Sequence, residues 1–498
     1  MPIQAKCSSI SNITNEEILA DCQISEMRQL VEDPVTDAFV IQASLANWAS
    51  TSSSTLQCTG SGTVSPVVAS STRGGRSTSV KAVDYGQLMN DGKSVVLPAS
   101  ESTSSGTESS SNVTPSPCIL HSVNHVSGSM GNGIEYGCAE AEFMAFMVQA
   151  HELIKSSGLP NYMGCRIKIP SRFHIDYLER ELRDYEDKEV LEFLKFGYPL
   201  GIVGQVAGRG VVSNHRSAVD HPEQMSKYVE EEVSDRAVIG GFATIPFSSD
   251  VVFSPLGSTE KRDSEDRRVI MDLSFPRGGS VNDAIPKDTY LGHQVNLTFP
   301  RIDELVELVR IKGQGCMLFK KDLRRAYRQI RVDVGQANYL GFTWEGLMYF
   351  DISLPMGLRS SALCCQRTTL CIQHIYKNQG FDLVVYLDDL GGAESPDKAG
   401  EAYECLGRIL ESAGLEEKKS KACPPSTRMS FLGVWFDTES LTLEITRDRL
   451  EELLELLEKW ESRSSASRQE LQSIIGKLNF VSSVVKPGRV FISRLLNH

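Results

Sequence analysis

Residues 382–392, Asp-Leu-Val-Val-Tyr-Leu-Asp-Asp-Leu-Gly-Gly, set two adjacent carboxylates between an apolar run and a second apolar residue backed by two glycines. The apolar residues on either side favour burial and the Asp-Asp pair resists it, so the chain has to turn at that point. The pattern predicts a strand over 383–386, a tight turn carrying Asp388 and Asp389, and a return strand. Taken alone, an Asp-Asp turn is most often a solvated loop. Two other segments change its weight. In MLFKKDLRRAYRQIRV, an apolar run from Met317 leads into Asp322, and in FDISLPMGLRSSALCCQ a Pro-Gly turn opens a helical run.

Carboxylates brought together from distant strands suit nucleotidyl transfer. In that reaction a 3′-hydroxyl loses its proton while charge builds on the α-phosphate and the departing pyrophosphate. Two divalent ions about 3.5–4 Å apart serve both ends of such a displacement. Magnesium takes hard oxygen ligands and few protein carboxylates, leaving positions for substrate phosphates. Asp322 and Asp388 are the expected metal ligands, with the Leu323 carbonyl beside them and Asp389 in a supporting catalytic role. The expected cofactor is a pair of Mg²⁺ ions, with Mn²⁺ as the substitute.

Along the chain, residues 1–135 are rich in Ser, Thr and Gly and poor in large apolar side chains. Such a composition buries too little surface to offset the entropy of ordering, so a disordered arm is expected, with one short helix over 16–31. Residues 136–200 read as a helical lead-in: AEFMAFMVQAHELIKSSG has apolar residues at helical spacing, and IDYLERELRDYEDKEVLEFLKFG reads as a second, charge-laced helical stretch. Residues 201–437 form a mixed α/β body, with AVIGGFATIPF and VVFSPLG as strand candidates. Residues 438–498 end the chain in two amphipathic helices, TRDRLEELLELLEKWESR and SRQELQSIIGKLNFVSSVV.

The three chemistry-bearing segments together resemble the reverse transcriptase family, with matches spread from Asn214 to Leu496. Asp322-Leu-Arg-Arg-Ala-Tyr327 is similar to the family's first catalytic motif, Leu354-Pro-Met-Gly-Leu-Arg-Ser-Ser-Ala362 to its nucleotide-pocket motif, and Tyr386-Leu-Asp-Asp389 to its hallmark tetrapeptide. Phe431-Leu-Gly433 resembles the primer-grip hairpin. Finer stretches, NHRSAVDHP, FSPLG, RVIMDLSFPRGGSVND and GKLNFVSSVVKPGRVF, resemble DIRS-like retroelements, which mobilise with a tyrosine recombinase. Neither a recombinase nor a ribonuclease H segment is visible, so a fragment or truncated reading frame is expected.

The resemblance implies an α+β, right-hand polymerase fold of fingers, palm and thumb, acting on an RNA template, a DNA or RNA primer and dNTPs. It implies nucleotide contacts at Lys261, Arg268, Tyr327, Met356 and Gly357, a primer grip at Phe431, Leu432 and Gly433, and Lys419 as a general acid for the leaving pyrophosphate. The Tyr327 ring would collide with a ribose 2′-hydroxyl and admit deoxyribose. Each has a plainer reading. Tyr327 suits a core tyrosine, EKRDSEDRR around Arg268 suits a solvated hairpin tip, and Lys418, Lys419 and Lys421 suit a basic turn. Met356 stands where relatives carry Gln or Phe, and Ala362 where many carry Pro. Neither is a metal ligand.

Composition limits the rivals. The net charge of −13 argues against a nucleic-acid binder, but residues 301–498 hold 27 Lys+Arg and 27 Asp+Glu, so the whole deficit lies in residues 1–300. A polymerase needs only a local basic groove. No eighteen-residue apolar run or secretory signal is present, and the twelve cysteines form no CxxC pair. An intracellular protein, in cytoplasm or nucleus, without a membrane span is expected. Cys118, His121, His125 and Cys138 have the spacing of no familiar zinc finger, so zinc is not expected. The alternative function is a degenerate or truncated module that binds nucleic acid or protein without polymerising. An RNA-dependent RNA polymerase is disfavoured by Tyr327.

Overall fold

The computed structural model describes residues 42–44, 133–157 and 167–485, apart from 262–265, 296–297, 462 and 464, together with Gly488 and Ile492. Most of the 1–135 arm, the helix expected over 16–31, and Cys118, His121 and His125 lie outside the described residues.

At the centre is a four-stranded antiparallel sheet in the order Val384–Tyr386, Asp389–Glu394, Met317–Asp322, Cys423–Ser426. Successive side chains of a strand point to opposite faces, and here both faces are covered. Phe319, Val385 and Leu390 pack with the helices Ser361–Asn378 and Ala399–Ala413. Leu318, Val384 and Ala393 pack with the helix Ile302–Lys312 and with a second sheet. Runs such as Leu383-Val-Val are therefore apolar at consecutive positions because neither face of the strand meets water.

The second sheet comprises Arg428–Phe431, Val434–Asp437 and Thr442–Ile445, with Gln42–Ser44 paired to its outer edge. Two helices, Arg447–Glu461 and Arg468–Val484, close over it through Leu450, Leu453 and Leu457 on one and Ile474 and Leu478 on the other. The second helix starts at a capping box, in which Ser467 and Glu470 satisfy each other's backbone N–H groups.

On the other side of the molecule, Val238–Phe242, Leu347–Asp351 and Gly341–Trp344 form a three-stranded sheet. The long helix Gly133–Ser156 lays Met147, Ala150 and Ile154 into the core beneath it. The helix Pro222–Ser234 flanks the same sheet, and a hairpin, Leu256–Glu260 with Arg267–Met271, projects from it.

Two expectations change. IDYLERELRDYEDKEVLEFLKFG is two helices, Ile175–Glu181 and Lys188–Phe196, because the Asp187 carboxylate accepts the Val190 N–H and caps a new start. VVFSPLG makes only isolated bridges before its strand begins at Leu256, since Pro255 has no N–H to give a ladder. Among the described residues no helix is long and apolar enough to cross a membrane.

Candidate active site

The hairpin that carries Asp388 and Asp389 turns in two residues. Tyr386 pairs with Asp389, and Leu387 between them has a φ of 54°, a left-handed conformation that a branched side chain adopts only under constraint. The constraint is Gln366, fully buried on the helix Ser361–Asn378. Its amide nitrogen donates to the Val385 carbonyl at 2.7 Å, and its amide oxygen accepts the Leu387 N–H at 2.7 Å. One side chain thus grips the backbone on both sides of the turn.

The neighbouring strand brings Asp322 opposite Asp389, and the Leu323 N–H donates to the Asp388 carbonyl at 3.0 Å. Residues facing each other across a ladder share a face, so Tyr386, Asp389 and Asp322 all point to the side of the sheet that carries the second sheet. They lie at the end where that cover stops. Leu323 turns its N–H and C=O to the edge facing the Asp388 turn, because the opposite edge is bridged to Glu417 through the flanking residues. Leu323 is thus bonded to the Asp388 turn, and Asp322 lies near enough to Asp388 for its charge to act on that carboxyl.

The electrostatics around these carboxyls favour a cation. Burial pushes the Asp388 carboxyl up, the nearby Asp322 charge pushes it further, and Lys421 and Arg268 hold it back. Burial likewise pushes Asp389 up to about 6, against Lys320 and with Asp388 and Asp322. Carboxylates that raise one another's pKa at a water-poor site are relieved by a divalent ion. The donors are all hard oxygens and suit Mg²⁺ or Mn²⁺ rather than zinc. No cluster of three or more His, Cys, Asp or Glu suited to a metal ion occurs among the described residues, so an ion here would draw its remaining ligands from substrate and water.

The residues expected to contact a nucleotide lie on two loops. Tyr327, on the short helix Ala326–Gln329, is half-buried against the core, near enough to Cys365 and Asp388 for their charges to add to burial in raising its pKa. The Met356 carbonyl accepts the Met271 N–H at 3.0 Å and so docks the projecting hairpin, while the Met356 side chain stays exposed. Gly357 is required there: its φ is 113°, and a Cβ would fall 2.0 Å from the Met271 carbonyl oxygen. Asn282, missed in the sequence, steadies the same loop by donating to the Gly357 carbonyl at 2.7 Å and accepting the Arg359 N–H at 2.8 Å.

Residues 273–436 match the family described as reverse transcriptase (RNA-dependent DNA polymerase). The match spans Asp322, Tyr327, Gly357, Asp388 and Asp389. No curated protein matches the sequence. Among solved structures, the chain is similar to a foamy viral protease-reverse transcriptase dRH in complex with dsDNA, at 17% identity and a TM-score of 0.43, covering 66% of this chain and 56% of that one. It is also similar to a foamy viral protease-reverse transcriptase in complex with an RNA/DNA hybrid, at 18% identity and a TM-score of 0.41, covering 66% and 43%. The chain spans about half the length of these structures.

The remaining expected residues sit around these carboxylates in different ways. Arg268, on the projecting hairpin, is exposed, and its charge reaches Asp388. Lys261 lies at that hairpin's tip with Asp266, 3.7 Å away. Lys419 is exposed on a 3₁₀ turn, and Lys421 at the end of that turn is the lysine that meets Asp322, at 3.3 Å. The Phe431 side chain is fully buried against Gly391 of the Asp388–Asp389 hairpin, where a Cβ would lie 2.7 Å from its ring. Phe431 therefore props the hairpin from beneath. Leu432 and Gly433, with φ of 50° and 81°, form the two-residue tip beside it. Gln366, Asn282 and Lys421 carried no sequence signal of their own, because their partners lie 21, 75 and 99 residues away.

Proposed function

We propose that this protein is the reverse transcriptase of a DIRS-like retroelement, adding dNTPs to a primer 3′-hydroxyl on an RNA template. The observation that carries the reading is the ladder that sets Asp322 beside Asp389, with Asp388 on the turn next to Leu323. The four stretches similar to DIRS-like elements support the subtype. The matching division of the chain is an arm over 1–135, a helical lead-in over 136–200, fingers and palm over 201–437, and thumb helices over 438–498. Buried free thiols at Cys316, Cys364, Cys365, Cys371 and Cys405 support work in a reducing, intracellular compartment.

In this reading Asp322, Asp388 and the Leu323 carbonyl would hold two Mg²⁺ ions. Bound there, the ions would lower the pKa of the attacking hydroxyl and stabilise charge on the phosphates. The chain's own residues orient the reactants. Arg268 is placed to grip triphosphate oxygens with its planar fork. Tyr327 sits beneath the incoming sugar, where its ring leaves no room for a 2′-hydroxyl. Gln366 keeps Asp388 in place through the Leu387 backbone. Template and primer are held mainly through phosphates, which suits an enzyme that accepts any sequence.

A primed poly(rA) template with dTTP and Mg²⁺ or Mn²⁺ tests the proposal. Wild-type protein should extend the primer, and Asp388→Asn should lose at least about a hundredfold in kcat. Extension that persists in Asp388→Asn would remove the assigned site. A preference for UTP over dTTP would move the protein to the RNA polymerases.

A further inference from the structure

Tyr327 is flanked in the chain by two arginines that end on one carboxylate. Arg325 donates through Nη2 to Glu232 Oε1, and through Nη1 to Asp235 at 2.7 Å. Arg328 donates through Nε to Glu232 Oε2 at 2.8 Å, through Nη2 to Asp351, and through Nη1 to the Leu354 carbonyl at 3.2 Å. Glu232 belongs to the helix Pro222–Ser234 and is 1% exposed. The backbone between the two arginines is held in an unusual form: Arg325 has a φ of 49°, and the four-residue helix carrying Tyr327 starts directly after it.

We propose that Glu232 is a positioning residue for sugar selection, setting the height of the Tyr327 ring beneath the incoming nucleotide from a helix outside the matched domain. The inference rests on the reading of Tyr327 as the residue that excludes a 2′-hydroxyl. A four-residue helix has no length with which to hold itself, so its tilt is set by what anchors its ends. Here both anchors are bidentate-capable guanidinium groups converging on one buried carboxylate, a pairing whose planar geometry leaves little freedom. Arg328 also reaches Leu354, the first residue of the Gly357 loop. One carboxylate thus ties together the two segments that line the nucleotide position. Removing it would let the ring move by a fraction of an ångström to an ångström, and a hydroxyl-sized discrimination is sensitive to displacements of that size.

The test is the ratio of kcat/KM for dTTP to kcat/KM for UTP on primed poly(rA), with the full-length chain. A loss of folded protein scales both constants equally and cancels in the ratio, so a merely structural role leaves it unchanged. Glu232→Gln should lower the ratio by about tenfold. Arg325→Lys, at a partly exposed side chain that loses its fork but keeps its charge, should lower it in the same direction and remains readable if Glu232→Gln folds poorly. Lys312→Met breaks the Lys312–Glu394 pair, another partly buried ion pair, and should leave the ratio within about twofold of wild type. A wild-type ratio in Glu232→Gln or in Arg325→Lys overturns the proposal. A ratio lowered equally by Lys312→Met also overturns it, since any core damage would then suffice. Wild-type protein that incorporates neither nucleotide overturns the polymerase reading itself, and the inference with it.

Discussion

Leu387 and Gln366 show how a single side chain can hold a backbone geometry that local sequence does not favour. A leucine at a φ of 54° is strained, and the strain is borne by the two hydrogen bonds from a fully buried amide. Gln366→Leu would keep the volume and leave the Val385 carbonyl and the Leu387 N–H without partners in a dry interior. Each orphaned group costs about 1–3 kcal/mol. Urea titration should therefore show a loss of roughly 2–4 kcal/mol. Primer extension per folded molecule should fall by at least about tenfold, because Asp388 is the next residue in the chain. A variant that loses stability but extends primers at the wild-type rate would show that the grip is structural only.

At the scale of elements, the helix Gly133–Ser156 is held against the body by a polar contact buried among apolar ones. His151 donates through Nδ1 to the Val334 carbonyl at 2.8 Å, and its Nε2 accepts from the Ser249 hydroxyl at 2.9 Å, an arrangement that suits the neutral ring. Burial pushes its pKa down to about 4, with Lys155 adding to the effect. The unfolded chain takes up this proton near 6.5 and the folded chain only near 4, so the unfolded state binds more protons between those values. Stability is then fully present above about pH 6.5 and is lost as pH falls towards 4, by on the order of 3 kcal/mol from this group. Urea midpoints at pH 7, 6, 5 and 4 measure it against His151→Gln, which should show a shallower decline. Parallel profiles for the two proteins would remove His151 as the cause. The helix matters to the site because it underlies the sheet Val238–Phe242, Leu347–Asp351 and Gly341–Trp344, next to the hairpin that carries Arg268.

For the whole molecule, net charge is a poor guide, since a chain of −13 gathers Lys320, Lys421 and Arg268 around the carboxylates Asp388 and Asp389. If nucleic acid is held through phosphates, its affinity should fall by at least about tenfold between roughly 50 and 200 mM salt, as fluorescence anisotropy with a labelled primer–template would record. An affinity indifferent to salt would contradict phosphate contacts. What the residues determined by themselves was local. Apolar runs bounded by Gly, Pro and paired aspartates dictated the strands and turns of the central sheet, helical spacing dictated the C-terminal helices, and Asp322, Tyr327 and the Asp388–Asp389 pair stood out as candidates for the chemistry proposed. The break at Asp187, in contrast, was hidden within a helical pattern, because a capping bond competes with a continuing helix only through its geometry. Only the tertiary structure decided which charges meet: Lys421 rather than Lys419 at Asp322, Gln366 around the turn, Asn282 behind Gly357 and Glu232 beneath the Tyr327 segment. Period and turn chemistry act over a few residues and can be read along the chain. A buried polar group, however, must find its partner wherever the stacked layers bring one, and these partners lie 19 to 99 residues away.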